Sequence, residues 1–280
     1  MTDAGTAAPR AQEHHPEWRD QWTRFADQER FLFEDWIAPA TLADFAARDV
    51  LEAGCGGGQH TQLVSPLART VTAVDLNTAD LARRQRPGLA NVTWVDADLA
   101  TMDLGRTFDV VFSIGVLHHT DDPDRSFANL YRHLAPGGKM MVWVYSEEGN
   151  APVRWLVEPV RRLLLRHLPR GVVAALARAI TALLYPVVHT VYRLPFLSFL
   201  PYHEYFANFR RLSFERNVLN VYDKLNAPQT RFVSRSRAER WMGAERFRAD
   251  SISIRAYRGV SWSLVGVRPG GGTPSPEHRP

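Results

Sequence analysis

The chain has 280 residues, enough for one α/β domain with an insertion or for two small domains. A composition of 45% hydrophobic and 23% charged residues excludes long-range disorder and collagen-like or fibrous classes, and a single cysteine, Cys55, excludes a disulfide framework, a Cys-rich zinc site and chemistry that needs two thiols. The net charge of +4 hides an asymmetry: residues 1–150 hold 13 Lys/Arg against 22 Asp/Glu and residues 151–280 hold 21 against 8, so an acidic half suited to a cationic ligand precedes a basic half that faces something anionic or only solvent.

Residues 1–16 are polar, small and proline-containing, and read as a flexible tail. No basic segment followed by an apolar one opens the sequence, so no secretory leader is expected and a cytoplasmic location is. An aromatic-rich stretch with partial helical spacing runs from Trp18 to Ile37. Short β-branched or apolar runs follow at Val50–Ala53, Val71–Val74, Val92–Val95, Phe108–Ser113 and Met140–Tyr145, separated by helix-length stretches. The clearest of these stretches is Pro123–Leu134, where Phe127, Leu130, Tyr131 and Leu134 repeat at helical spacing before the stop signal Pro136-Gly137-Gly138; Asp121 and Asp122 are placed to cap its start. Strands alternating with helices in this way predict right-handed βαβ units and a parallel sheet with helices on both faces.

The alternation stops after Tyr145. Residues 150–225 are apolar, arginine-studded and interrupted by prolines, Pro186 among them, which predicts several short helices in an insertion. Gly171–Val191 is long and apolar enough to raise a membrane span, but Arg178 near its middle argues for a cap packed over the sheet; a face lying on a membrane, flanked by Arg161, Arg162, Arg166, Arg170 and Arg178, is the alternative. A helix over Arg235–Met242 and strands over Phe247–Arg255 and Val260–Val267 complete the alternation, and the Gly/Pro-rich 269–280 reads as disordered.

The first strand runs into Leu51-Glu52-Ala53-Gly54-Cys55-Gly56-Gly57-Gly58, where glycines permit a tight strand-to-helix turn and close backbone approach of a ligand. A dinucleotide fingerprint read from Gly54 or from Gly56 fails, because Gln59 or Thr61 fills its last glycine position. Glu52 also disfavours a pyrophosphate and suits a cation. Asp75, with Leu76 after it, ends the second strand where a carboxylate can accept ribose hydroxyls; Asp98 follows the third, with Asp96 as its competitor for an adenine amino group. The fourth strand leads into Ser113-Ile114-Gly115-Val116-Leu117-His118-His119 at the ligand-binding edge of the sheet.

These motifs, with Phe108-Asp109-Val110-Val111 and Leu134-x-Pro136-Gly137-Gly138, resemble the class I S-adenosylmethionine-dependent methyltransferases, in particular the small-molecule branch of quinone-biosynthesis and natural-product enzymes. The resemblance implies a Rossmann-like, seven-stranded, mostly parallel sheet ending in a hairpin, with a helical cap inserted after the fifth strand. It implies a methyltransferase domain over 48–149 and 226–268, a helical lid over 17–47 and an acceptor cap over 150–225. It further implies S-adenosyl-L-methionine as cofactor, with Glu52 near the methionine amino group, Gly54, Gly56 and Gly58 along methionine and ribose, Asp75 and Leu76 at the ribose, Asp98 and Leu99 at the adenine, and Ser113 and Ile114 at the methionyl end. His118 and His119 are candidate general bases, since histidine titrates near neutrality, or else pack the following helix. Trp22, Tyr202, Tyr205, Tyr222 and Asp223 are candidate acceptor contacts, although core packing accounts for the aromatics equally.

No spacing of ligands points to a metal. The expected partner is a small-molecule acceptor, methylated on oxygen in preference to nitrogen or carbon, in specialised metabolism, with no nucleic acid. The rival readings are methylation of a lipid-linked or quinone-like acceptor at a membrane surface, and a cofactor-binding domain that promotes a cyclisation without methyl transfer.

Overall fold

The computed structural model describes residues 16–26 and 29–270. The two expected tails lie outside these residues save for Pro16, Pro269 and Gly270. The aromatic N-terminal stretch forms two helices, α1 (Pro16–Arg24) and α2 (Arg30–Ile37). There follow β1 (Asp49–Ala53), α3 (Gln59–Val64), β2 (Thr70–Asp75), α4 (Ala79–Gln85), β3 (Val92–Asp96), β4 (Phe108–Ile114), α5 (Pro123–Arg132) and β5 (Leu134–Tyr145). Four longer helices then occupy the insertion: α6 (Glu158–Leu163), α7 (Arg170–Thr190), α8 (His203–Phe209) and α9 (Phe214–Asn226). The chain returns through α10 (Arg235–Trp241) to β6 (Ser253–Tyr257) and β7 (Ser261–Val267).

The seven strands form one sheet in the order β3-β2-β1-β4-β5-β7-β6, parallel except for β7, which pairs antiparallel with both β5 and β6. The order in which strands are added to the sheet reverses between β1 and β4, and in open α/β sheets the crevice beyond the carboxyl ends of such strands is where ligands bind. Both faces are buried, as the continuous apolar runs of β1, β2 and β4 require. Leu51, Val111 and Met140 pack on one face beneath Phe127 and Leu130 of α5 and Trp241 of α10. Val50, Phe112 and Met141 pack on the other beneath Phe33 and Ile37 of α2 and Phe45. Asp122 caps α5, its carboxylate accepting from Arg125 N at 3.0 Å, with Pro123 at the first helical position.

Three boundaries differ from the sequence reading. Helix α5 ends at Arg132, and β5 runs through Pro136-Gly137-Gly138 from Leu134. Strand β6 begins at Ser253, because Phe247 is drawn into the core under α5 and residues 249–251 make a tight turn stapled by Arg248–Asp250. Pro186 does not break α7; its ring lies on the solvent side and Thr190 Oγ1 donates to its carbonyl at 2.7 Å.

The insertion has its own small core, with Val173 and Ala177 of α7 packed on Val218, Tyr222 and Leu225 of α9. It is tied to α1 by Tyr222, whose hydroxyl donates to Asp20 at 2.5 Å, and by Arg170–Glu17 at 3.1 Å.

Phe33 is fully buried, against Phe45, His60 and Phe112. Phe33→Ala is expected to cost about 3–5 kcal/mol in denaturant unfolding. A loss under about 1 kcal/mol would mean that α2 does not belong to the core of the sheet.

Candidate functional site

The turn after β1 is built from glycines that the backbone requires. Gly54 and Gly56 have φ of +86° and +54°. A Cβ on Gly54 would fall 2.3 Å from the side chain of Val116, and one on Gly56 would fall 2.7 Å from the indole of Trp22. The turn opens onto a cavity of about 460 Å³ at the carboxyl ends of β1, β2 and β4. Gly54, Gly56, Asp75, Leu76, Asp98, Leu99, Ile114 and His119 line it together with Trp22 and Asp223, so the structure brings together ten site residues expected from sequence. Trp18, Gln21 and Trp22 of α1 cover it.

The acids around this cavity differ in their surroundings. Asp75 accepts a hydrogen bond from Gly56 N at 2.9 Å, and burial raises its pKa. Asp98, rather than Asp96, reaches the wall and accepts from Ala100 N at 2.8 Å. Glu52 lies behind the wall, two residues before Gly54, and is 1% exposed. Its Oε2 accepts from the Thr61 hydroxyl, while Oε1 has no hydrogen-bond partner and lies 3.9 Å from His60 Nδ1. Burial pushes the Glu52 carboxyl up to about 8, against the pull of Thr61 and with the nearby Asp75 charge adding to the rise.

An orphaned buried carboxyl oxygen beside a glycine cradle, with Asp75 and Asp98 further along one wall, fits the parts of S-adenosylmethionine: an ammonium, a ribose diol and an adenine amino group. Two expected residues fall elsewhere. Gly58 is under the loop against Arg86 and Trp94. Ser113 is turned into the sheet, where its hydroxyl donates to Ala53 O at 2.8 Å, because the alternation along β4 sends Ile114 and not Ser113 to the cavity.

The two histidines are not equivalent. His119 lies on the cavity wall, its ring tilted against Trp18 at 4.6 Å between centroids, with Nδ1 2.8 Å from Gln229 O. A carbonyl can only accept, so Nδ1 carries the proton and Nε2 is left as a base. His118 lies on neither cavity wall. Its Nδ1 accepts from Tyr145 N at 3.4 Å, which puts its proton on Nε2, and its ring packs 4.2 Å from Tyr145. Burial lowers the pKa of both, so both are neutral at neutral pH.

A second cavity of about 270 Å³ lies between β5, β7 and the insertion, with Trp36, Trp143, Tyr145, Tyr202, Tyr205 and Lys224 among its walls. It is almost entirely apolar; Lys224 donates to the Tyr205 hydroxyl at 3.2 Å. Tyr145 separates it from the larger cavity, donating at 2.7 Å to Asp223, which also accepts from Gln21 at 3.3 Å. Tyr202 and Tyr205 therefore line the apolar cavity, whereas Asp223 and Trp22 line the larger one. Tyr222 lines neither; the helical repeat of α9 turns it inward, against Phe25 and onto Asp20. Sequence reasoning missed Tyr145, Lys224 and Gln229. Tyr145 could have been found as the last residue of a central strand; Gln229 carries no such signal. Among the described residues no three His, Cys, Asp or Glu side chains converge as a metal site.

The family described as a methyltransferase domain matches residues 51–142. The chain is 37% identical over 123 residues to an uncharacterised protein of Synechococcus, covering 41% of this chain and 29% of that one. It is 31% identical over 162 residues to the ubiquinone biosynthesis O-methyltransferase of Pseudomonas putida (strain GB-1), covering 55% of this chain and 68% of that one. Among solved structures it is similar to an S-adenosylmethionine-bound amino pentose methyltransferase of Micromonospora echinaspora, with 28% identity over 46% of this chain and 49% of that one and a TM-score of 0.32.

Glu52 is expected to be protonated in the free protein below about pH 8 and to lose its proton on meeting a ligand ammonium. Calorimetric titration with S-adenosylmethionine in buffers of differing ionisation enthalpy, at about pH 6.5, should report release of about one proton. Release should vanish at higher pH and in Glu52→Gln. Undiminished release in Glu52→Gln would assign the proton to another group.

Proposed function

The chain belongs to the class I S-adenosylmethionine-dependent methyltransferases, and from that premise we propose that it methylates a small organic acceptor held in the apolar cavity beside the donor site. The observation that carries this reading is the thinness of the partition: one hydrogen bond, Tyr145 to Asp223 at 2.7 Å, stands between a wall residue of one cavity and a wall residue of the other.

When bound, S-adenosylmethionine supplies a sulfonium methyl group for in-line displacement. Glu52 pairs with the ligand ammonium, directly or through water, and Asp75 accepts from the ribose hydroxyls. Asp98 and the backbone around Leu99 hold the adenine, and Ile114 packs against the methionyl end. Trp18, Gln21 and Trp22 on α1 exclude water from the larger cavity, which strengthens these contacts. The apolar walls of the second cavity orient the acceptor, and alignment accounts for most of the catalysis such a displacement needs.

Oxygen is the acceptor atom we favour. His119, neutral and with Nε2 free to accept, is suited to take the proton of a hydroxyl as it attacks, and Gln229 holds the ring in that tautomer. The likeness to a ubiquinone biosynthesis O-methyltransferase supports the same choice. His118 acts as an aromatic spacer that sets Tyr145. A cytoplasmic role in specialised-metabolite biosynthesis completes the reading.

Incubation with methyl-labelled donor and a panel of phenolic and hydroxylated acceptors should release S-adenosylhomocysteine in step with labelled product. Donor consumed without S-adenosylhomocysteine, or bound without turnover across the panel, would favour a cofactor-binding domain of another chemistry. His119→Ala is expected to lower the transfer rate by about 10²–10⁴-fold with the donor still bound. His118→Phe, which keeps an aromatic ring against Tyr145, should cost far less.

A further inference from the structure

We infer that the outer face of the insertion, over residues 155–199, docks on an anionic lipid bilayer with α7 lying along the interface. Among the described residues, 14 of the 15 large apolar side chains that stand exposed belong to this one stretch, Leu67 being the other. Several are exposed almost as in an unfolded chain: Trp155 at 72%, Leu163 at 71%, Leu183 at 75% and Phe199 at 76%. Single apolar side chains on a surface are ordinary, but a run confined to one segment marks an interaction face.

Charge decides what covers it. Residues 151–200 contain seven arginines and one acid, Glu158, with no lysine or aspartate. Glu158 is buried and already paired with Arg161 at 2.9 Å and Arg162 at 3.6 Å. Arg162, Arg166 and Arg193 are exposed among the apolar side chains. A second copy of the chain would set this positive face against itself. A nucleic acid would satisfy the arginines but offer nothing to the leucines, tryptophan and phenylalanines between them. An anionic bilayer meets both requirements, since its headgroups attract arginine while its acyl boundary takes apolar and aromatic side chains.

The segment Arg170–Arg193 is long and apolar enough to cross a membrane, yet the structure has it lying on the domain. Val173, Ala177, Thr181 and Val188 are buried on its inner side, and Arg178 forms a two-pronged ion pair with Glu215 of α9 at 2.6 and 2.7 Å. A spanning arrangement would strip these contacts from the core around Tyr222. The inner sides of the same elements also wall the apolar cavity, through Val153, Val157, Ile180 and Leu184. The docked face and the second cavity are thus opposite sides of one layer of helix.

The test is flotation of the full-length protein with vesicles of phosphatidylcholine, with and without phosphatidylglycerol, at about 0.02 M and about 0.5 M salt. The expected result is retention on anionic vesicles at low salt, loss of about tenfold or more in affinity on neutral vesicles or at high salt, and release by alkaline carbonate. The double variant Leu183→Asp/Phe199→Asp should weaken retention by about tenfold or more with donor affinity unchanged, and Leu67→Asp should leave it intact. Absence of flotation overturns the proposal, as does retention through carbonate, which would mean a spanning helix. A concentration-dependent dimer in sedimentation that the same double variant dissolves, without vesicle binding, would assign the face to a second copy; an electrophoretic shift of DNA or RNA without vesicle binding would assign it to nucleic acid.

Discussion

Glu52 closes the carboxyl end of β1 with one oxygen held by Thr61 and the other unpartnered. Burying such a group without a counter-charge is costly, and the protein meets that cost by leaving the carboxyl protonated rather than by supplying a cation of its own. Much of the site follows from this constraint. The turn after β1 must be thin enough for a ligand to come near Glu52, so its residues must lack side chains and accept positive φ. In the proposed reading the ligand brings a positive charge to that end, for which the Glu52 carboxyl gives up its proton. A pyrophosphate fails on that count, which separates this crevice from a dinucleotide site of the same sheet topology.

The partition between the two cavities is as sparing with polar groups. His118, His119 and Tyr145 form a cluster of tilted rings between the cavities, and each histidine nitrogen that has a partner is fixed by backbone: His119 by Gln229 O, His118 by Tyr145 N. Adjacent residues in one short turn thereby take opposite tautomers, and only one of them faces the donor cavity. A chemical distinction that two identical letters cannot express is made by which carbonyl or amide each ring meets.

The sheet was legible because its signals are local. The apolar runs of β1, β2 and β4, the cap Asp122-Pro123 of α5 and the glycines after β1 each specify their own conformation, and the handedness of the connections puts helices on both faces of a parallel sheet. Asp75, Asp98 and Ile114 were legible for the same reason, as residues at or just beyond strand ends. What escaped was set by long-range packing. Ser113 and Ile114 are neighbours whose directions alternate, and the residue chosen for the cavity depends on which face of β4 meets Ala53. Tyr222 and Asp223 sit side by side on α9, and only the docking of α1 through Asp20 decides that the tyrosine turns inward while the aspartate reaches the cavity. Pro186 was read as a break because the sequence does not say that its turn faces solvent.

Every role assigned to this site depends on what the larger cavity binds. Calorimetric titration of the full-length protein and of Asp75→Ala with S-adenosylmethionine, S-adenosylhomocysteine and NADH addresses it directly. Saturable binding of both sulfur ligands is expected, weakened about tenfold or more in Asp75→Ala, with no binding of NADH. Binding of NADH alone would contradict every role assigned from Glu52 to His119.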